Sequence, residues 1–207
     1  MNMLSLGQVG EILAAALHGS DAEFSSVSTD TRTLQPGALF VALQGPNFDG
    51  HAFIETALGK GAVGALVSEP QQTSLPWIQV TDTRLALGHL AAAWRERRGV
   101  PLVAVTGSNG KTTVKEMIAA ILQQQGAVLA TRGNLNNDIG MPLTLLGLRD
   151  ERFTVLEMGA NHAGEIAYLT HIAAPDVAVI TNAGAAHLEG FGDLDGVARA
   201  KGEILAG

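Results

Sequence analysis

Two glycines, a lysine and a threonine in PLVAVTGSNGKTTVKEM, residues 101–117, have the types and spacing to hold phosphate. Gly107 and Gly110 let backbone N–H groups turn toward phosphate oxygens without a Cβ clash, forming a nest where a helix begins. Lys111 would bring positive charge to the outer phosphates, and the Thr112 hydroxyl would ligate Mg²⁺. The common phosphate loop G-x-x-x-x-G-K-[ST] has four residues between its glycines. Here only Ser108 and Asn109 lie between Gly107 and Gly110, and Val105 stands where the usual first glycine would be. A glycine-rich turn with a solvated lysine is the plain alternative. The buried strand before the loop and the helix after it favour the phosphate reading.

Three further residues invite a chemical role. Glu157 closes the apolar run FTVLE. At the carboxyl edge of a parallel sheet a carboxylate can hold Mg²⁺ near the loop, although a surface glutamate at a strand end fits the same residues. His187 follows DVAVIT and a glycine-containing turn, where a structural or solvated histidine is the ordinary reading. Lys201 lies in LDGVARAKGEIL, a helical stretch in which lysine is normally a solvated surface residue. His18, His51, His89, His162 and His171 have no comparable metal motif.

These residues need a folded frame, and 207 residues suffice for one large domain or two modest ones. With 46% hydrophobic and 16% charged residues the chain is globular rather than disordered. A net charge of −7 and a pI near 5.3 argue against a nucleic-acid partner, because phosphate backbones need a basic face. The absence of cysteine excludes thiolate metal sites and disulfides. No apolar run approaches the ~20 residues that span a bilayer. ILAAALHGS faintly imitates a leader, but no basic residue precedes it and Glu11 interrupts the approach. The expectation is a soluble cytoplasmic protein with no membrane partner.

Hydrophobic spacing predicts an α/β chain of two regions, 1–82 and 83–207. In the first, Leu6, Val9, Ile12, Leu13 and Ala16 recur at helical spacing; SVSTDTR and ALFVAL read as strands around the turn LQPG. HAFIETALGKG reads as a helix stopped by glycine, followed by buried strands in AVGALVS and WIQV. In the second, DTRLALGHLAAAWRERR predicts a helix with Leu87, Leu90, Ala91 and Trp94 on one face. Strands in PLVAVTG, AVLAT, FTVLEMG and DVAVIT then alternate with helices. Such alternation of apolar runs with helices implies a parallel sheet covered on both faces. On the helix from Val114 to Gln125, the residues Val114, Met117, Ile118, Ile121 and Leu122 are expected on one side. RGNLNNDIGMP reads as a loop, an asparagine-rich turn on its residues alone.

The shortened loop TGSNGKTT resembles that of the Mur ligases of peptidoglycan synthesis and of the folylpolyglutamate synthetases. TRGNLNNDIGMPLTLL, LEMGANHAGEI, NAGAAHLEGFG and VARAKGEI are similar, in order, to segments of the Mur ligase branch that joins D-alanyl-D-alanine to UDP-N-acetylmuramoyl-tripeptide. STDTRTLQPGALFVALQGPNFDGHAF resembles the UDP-binding domain of that branch. The resemblance covers essentially the whole chain. It implies a small N-terminal α/β UDP-binding domain followed by a parallel-sheet, phosphate-loop ATPase domain that is incomplete at its C-terminal end.

The resemblance also implies roles. The cofactors would be ATP, two Mg²⁺ ions, and CO₂ taken up as a carbamate on Lys201. Gly107, Ser108, Asn109, Gly110, Lys111, Thr112 and Thr113 would hold ATP; Thr112, Glu157, His187 and Lys201 would hold metal. Lys111, Asn137, His187 and Lys201 would be catalytic. Thr29, Asp30, Arg32, Asn47, Asp49 and His51 would line the uridine diphosphate site, although Asp30 and Arg32 could equally form an ordinary surface ion pair. The reaction would activate the tripeptide carboxylate as an acyl phosphate, which the amine of D-alanyl-D-alanine then attacks. The role would lie in cell-wall synthesis, and so in cell shape and division, as a monomer at full length. These 207 residues by themselves would bind nucleotide poorly and form no peptide bond. A folylpolyglutamate-synthetase-like ligase needs no UDP domain, and a non-catalytic nucleotide-binding module needs no second metal site; both remain as alternatives.

Overall fold

The computed structural model describes residues 2–185 and 188–206. Two compact units divide the chain at 90/91, inside the helix that opens at the start of the second predicted region.

In the first unit, Leu4–Ser5 (β1) leads into the helix Leu6–Leu13 (α1). Its start is fixed reciprocally: Ser5 Oγ accepts from the Gln8 N–H, and Gln8 Oε1 accepts from the Ser5 N–H at 3.0 Å. Ala14, in the left-handed region, ends the helix, so Ala16 falls outside it; Ile12, expected on the buried face, is exposed. Leu17–His18 (β2) and Glu23–Phe24 (β3) follow, with β3 antiparallel to β1. Ser26–Ser28 (β4), Ala38–Val41 (β5), the short antiparallel pair Gln44–Gly45 (β6) and Phe48–Asp49 (β7), the helix Ile54–Gly59 (α2), Gly64–Val67 (β8) and Trp77–Gln79 (β9) complete the unit. The main sheet has the order β2-β9-β8-β5-β4, parallel except for β2 against β9. Every residue of β5 and β8 is buried, as continuous apolar runs require when both faces of a parallel sheet are covered.

The helix Thr83–Arg98 (α3) crosses the division. The second unit continues with Leu102–Thr106 (β10), Lys111–Leu122 (α4), Val128–Ala130 (β11), Gly140–Leu146 (α5), Phe153–Glu157 (β12), Glu165–Ala173 (α6), Val177–Ile180 (β13), Leu188–Phe191 (α7) and Leu194–Gly202 (α8). Its four strands are all parallel in the order β11-β12-β10-β13. Leu102, Val105, Val155 and Leu156 are wholly buried there, and such side chains contribute about 1.5–3 kcal/mol each. From β10 the chain moves to one flank of the sheet, and after β12 it crosses to the other. The reversal of strand order beside β10 makes its carboxyl end the crevice where ligands of open α/β sheets gather.

Two expectations need correction. Met117 and Ile121 are 60% and 63% exposed; the inward positions of α4 are Lys115 and Ala119, flanked by the partly buried Val114, Ile118 and Leu122. The apolar stripe misled because Lys115 satisfies its ammonium inside, donating to the Thr131 carbonyl at 2.8 Å and to Glu116, so its stem covers the sheet. The asparagine-rich loop also passes directly into a helix, α5, which the sequence reading left out.

Candidate functional site

The loop between β10 and α4 takes its shape from its two glycines. Gly107 has φ 145° and Gly110 has φ 76°, a left-handed conformation that opens α4 without a side-chain cap. The first helical bond at this end runs from the Val114 N–H to the Gly110 carbonyl. The amides of Gly110 to Thr113 are therefore those a helix leaves unpaired at its N-terminus, where anions bind. The ammonium of Lys111 folds back onto the Gly107 carbonyl at 2.8 Å, over the same turn.

Register carries Glu157 to this loop. β12 lies beside β10 with Val105 opposite Glu157, so the last residue of one strand stands next to the mouth of the other. Glu157 is buried, 4% exposed as a residue. It accepts from the Thr112 hydroxyl at 2.7 Å and from the Asn136 amide at 2.8 Å. Its backbone N–H donates to Thr131 Oγ1 at 2.9 Å, and Thr131 is held in turn by Lys115 through its carbonyl. Among the described residues no lysine or arginine forms an ion pair with Glu157. A buried carboxylate is costly unless its charge is met. The donor set of Thr112 and Glu157 thus fits a hard divalent cation, which takes hydroxyl and carboxylate oxygens.

Asn136, which the sequence reading passed over, is the asparagine that touches Glu157. Asn137, its neighbour, is exposed and turns its Oδ1 to the N–H groups of Ile139 and Gly140 at 3.3 and 2.8 Å, closing the turn into α5. Asn136 packs against Gly159: a Cβ at that glycine would lie 3.0 Å from the Asn136 amide. Nothing in the local sequence reveals that approach. His187 lies outside the described residues.

Lys201, on α8, is buried rather than solvated, 2% exposed, with its ammonium 5.4 Å from the Phe191 ring centroid. Burial, and after it the charge of Lys111, holds its pKa below the usual lysine value, with Glu165 and Glu203 opposing.

The first unit's candidates pair among themselves. Arg32 forms a fork with Asp30, Nη2 to Oδ2 at 2.7 Å, and the hydrogen bonds from Arg32 hold the Asp30 carboxyl down at about 2. Thr29 adjoins them at the end of β4. His51 is buried; its Nδ1 lies 2.7 Å from Asp49 Oδ1, and its Nε2 accepts from the Ser68 N–H at 2.9 Å. That arrangement is a neutral imidazole donating from Nδ1. Asn47 sits exposed in the turn between β6 and β7.

Comparison with known proteins places this geometry. Residues 105–207 match the model of the Mur ligase middle domain, and residues 23–95 match that of the Mur ligase family, catalytic domain. The chain is 53% identical to the UDP-N-acetylmuramoyl-tripeptide--D-alanyl-D-alanine ligase of Escherichia coli (strain K12), over 100% of this chain and 46% of that protein. Identity to the enzyme of the same name from Haemophilus influenzae is 49%, over 100% and 47%. A crystal structure of MurF from Acinetobacter baumannii superposes with a TM-score of 0.92 at 43% identity, covering 97% of this chain and 45% of that one. MurF ligase from Thermotoga maritima in complex with ADP gives 0.80 at 38% identity, covering 86% and 42%. The chain spans about half the length of the curated relatives it matches. The order of its motifs, its two matched domains and its fold agree, and the chain belongs to the Mur ligase family.

Proposed function

We propose that this chain serves the ATP-dependent joining of D-alanyl-D-alanine to UDP-N-acetylmuramoyl-tripeptide, the activity in the names of its relatives from E. coli and H. influenzae. The observation that carries the reading is the meeting of Thr112, Asn136 and Glu157 beside the open amides of α4. Such a reaction proceeds in two steps. The tripeptide carboxylate attacks the terminal phosphorus of ATP, and the bond to ADP breaks, leaving an acyl phosphate. The amine of D-alanyl-D-alanine then attacks the acyl carbon, loses a proton, and phosphate departs.

In the first step Lys111 and the amides of Gly110 to Thr113 orient the phosphates and offset their charge. Thr112 and Glu157 would hold Mg²⁺, which neutralises charge on the transferring group when bound. Ser108, Asn109 and Gly107 shape the loop. Asn137 would border the reacting carboxylate, and His187 with Lys201 would hold a second metal. Lys201 would act there as a carbamate: its neutral amine adds to the carbon of CO₂ and releases a proton, turning a repelling cation into oxygen ligands. Its burial, with the ammonium against the Phe191 ring, supports that reading.

Thr29, Asp30, Arg32, Asn47, Asp49 and His51 hold the uridine diphosphate end as a distant handle, whose binding energy orients the peptide. The enzyme works in the cytoplasm as a monomer. Among the described residues no helix is long and apolar enough to cross a membrane. The test is ADP release with UDP-N-acetylmuramoyl-tripeptide, with and without D-alanyl-D-alanine, on the longest chain containing these residues. Release that depends on both supports the function; release indifferent to the dipeptide overturns it. ¹³C NMR under ¹³CO₂, together with rescue of Lys201→Ala by short carboxylates, tests the carbamate.

A further inference from the structure

The segment after β13 grips the phosphate loop by a set of hydrogen bonds that phosphate binding alone does not require. Asn182 reads the Asn109 peptide from both ends: its Oδ1 accepts from the Asn109 N–H at 3.2 Å, and its Nδ2 donates to the Asn109 carbonyl at 3.0 Å. Its own carbonyl accepts from the Ser108 N–H at 3.1 Å. The Thr181 hydroxyl donates to the same Asn109 carbonyl at 2.7 Å. Ser108 Oγ donates to the Gly184 carbonyl at 2.9 Å and accepts from the Gly184 N–H at 3.0 Å. The approach is so close that a Cβ at Gly107 would lie 2.0 Å from Thr181 Oγ1, which explains glycine at that position.

The consequence concerns the shortened loop. Ser108 and Asn109 are the only residues between its glycines, and both of their N–H groups are turned to Asn182 rather than left for a ligand. The loop lacks the extra residues with which a longer phosphate loop encloses its ligand. Hydrogen bonds from a separate segment supply the rigidity instead.

We infer that Asn182 is a positioning residue for nucleotide, a side-chain clamp that holds the two-residue loop in the shape from which the amides of Gly110 to Thr113 and Lys111 meet phosphate. The inference rests on the reading of this loop as the ATP site. Asparagine suits the position because its amide offers, on two separate atoms, an acceptor for the N–H and a donor for the carbonyl, which a carboxylate does not. Aspartate, of nearly the same shape, keeps the first contact and sets a carboxylate oxygen against the Asn109 carbonyl. Asn182 is exposed, so its replacement removes contacts without opening a cavity in the core.

The test compares the parent with Asn182→Asp, Asn182→Ala and Ser108→Ala. Binding of ATP·Mg²⁺ is measured by calorimetry well below the melting temperature, together with thermal melts and residue-resolved amide exchange. Asn182→Asp is expected to weaken ATP·Mg²⁺ about tenfold, as loss of one to two hydrogen bonds implies. Its melting temperature should stay close to the parent's, and exchange at Ser108 and Asn109 should speed up in the nucleotide-free protein. Ser108→Ala should act in the same direction and less strongly. A residue with only a structural role would lower the melting temperature and leave the affinity unmoved. Affinities within twofold of the parent in all three variants, while Lys111→Ala loses binding, would overturn the inference. If the parent itself binds no ATP·Mg²⁺, the nucleotide reading fails, and the exchange experiment still decides on the clamp: unchanged exchange at Ser108 and Asn109 in Asn182→Asp overturns it.

Discussion

The polar candidates of the first unit and those of the second are both paired, but their partners come from different distances along the chain. Asp30 binds Arg32, and Asp49 binds His51, each two residues away, and His51 also reaches further, to the Ser68 N–H 17 residues on. Glu157 draws Thr112 and Asn136 from 45 and 21 residues away, and Asn109 meets Asn182 across 73. A bond two residues long closes almost no loop, so a turn forms it for its own sake. A convergence of distant segments must be supported by the whole fold, because closing each long loop costs entropy. Long-range convergence of polar groups on a buried carboxylate is therefore the stronger mark of a working site. In the first unit the same residue types are the ordinary furniture of turns until a ligand is shown to displace them.

If the second unit is the working site, its largest sensitivity lies at Lys111. Lys111→Ala should lower ADP release by a factor on the order of 10² or more, as loss of a charge-stabilising group does. Among the described residues its ammonium bonds to the Gly107 carbonyl of its own turn, so the melting temperature should change little. Turnover equal to the parent's would remove the loop from the mechanism and level the two units. Glu157→Gln follows. The amide keeps an acceptor for one neighbour but loses the charge, so the Mg²⁺ concentration for half-maximal ADP release should rise at least tenfold, read by titration with Mg²⁺.

The frame around this site was legible in the sequence, and its contents only in part. FTVLE ended its strand at Glu157, and VAVTG ended in the loop, because buried parallel strands write themselves as unbroken apolar runs. Lys115 was illegible. Helical periodicity counts apolar residues, and a lysine that buries its stem and satisfies its ammonium on the Thr131 carbonyl counts as polar. Asn136 and Asn182 were illegible for a related reason. Both lie in loops, where no period exists, and their significance is a contact with a residue far away in the chain. The same blindness made Asp30 and Arg32 ambiguous, because a motif with a local partner looks alike with or without a ligand.

Backbone substitutions sharpen the comparison within the loop itself. Gly107→Ala places a methyl group against Thr181 Oγ1 at φ 145°, whereas Gly110→Ala meets nothing within 4 Å at φ 76°. The first should cost more than the second, which carries only the left-handed penalty of about 1–2 kcal/mol. Urea denaturation of the two variants measures the difference. Equal costs would mean that the segment after β13 does not press on the loop.

The smallest expected effect belongs to Asp30, and its pH dependence tells a turn from a site. The hydrogen bonds from Arg32 hold the Asp30 carboxyl at about 2 against an ordinary value of 3.8. A carboxyl depressed in the folded state adds stability that is fully present above its unfolded value and is lost as pH falls through the folded one. The contribution should therefore be whole above pH 3.8 and fade toward pH 2. Arg32 is 87% exposed, so water and salt screen the pair and the gain is slight. Denaturation curves of the parent and Asp30→Asn should differ by a small, constant amount at neutral pH and draw together as the acid limit is approached. If the pair also holds the uridine diphosphate, Asp30→Asn should weaken UDP binding at neutral pH by far more than it changes stability. A change in stability with no change in UDP affinity would assign Asp30 to the turn, and would leave the second unit as the place where the described polar residues are arranged for a ligand.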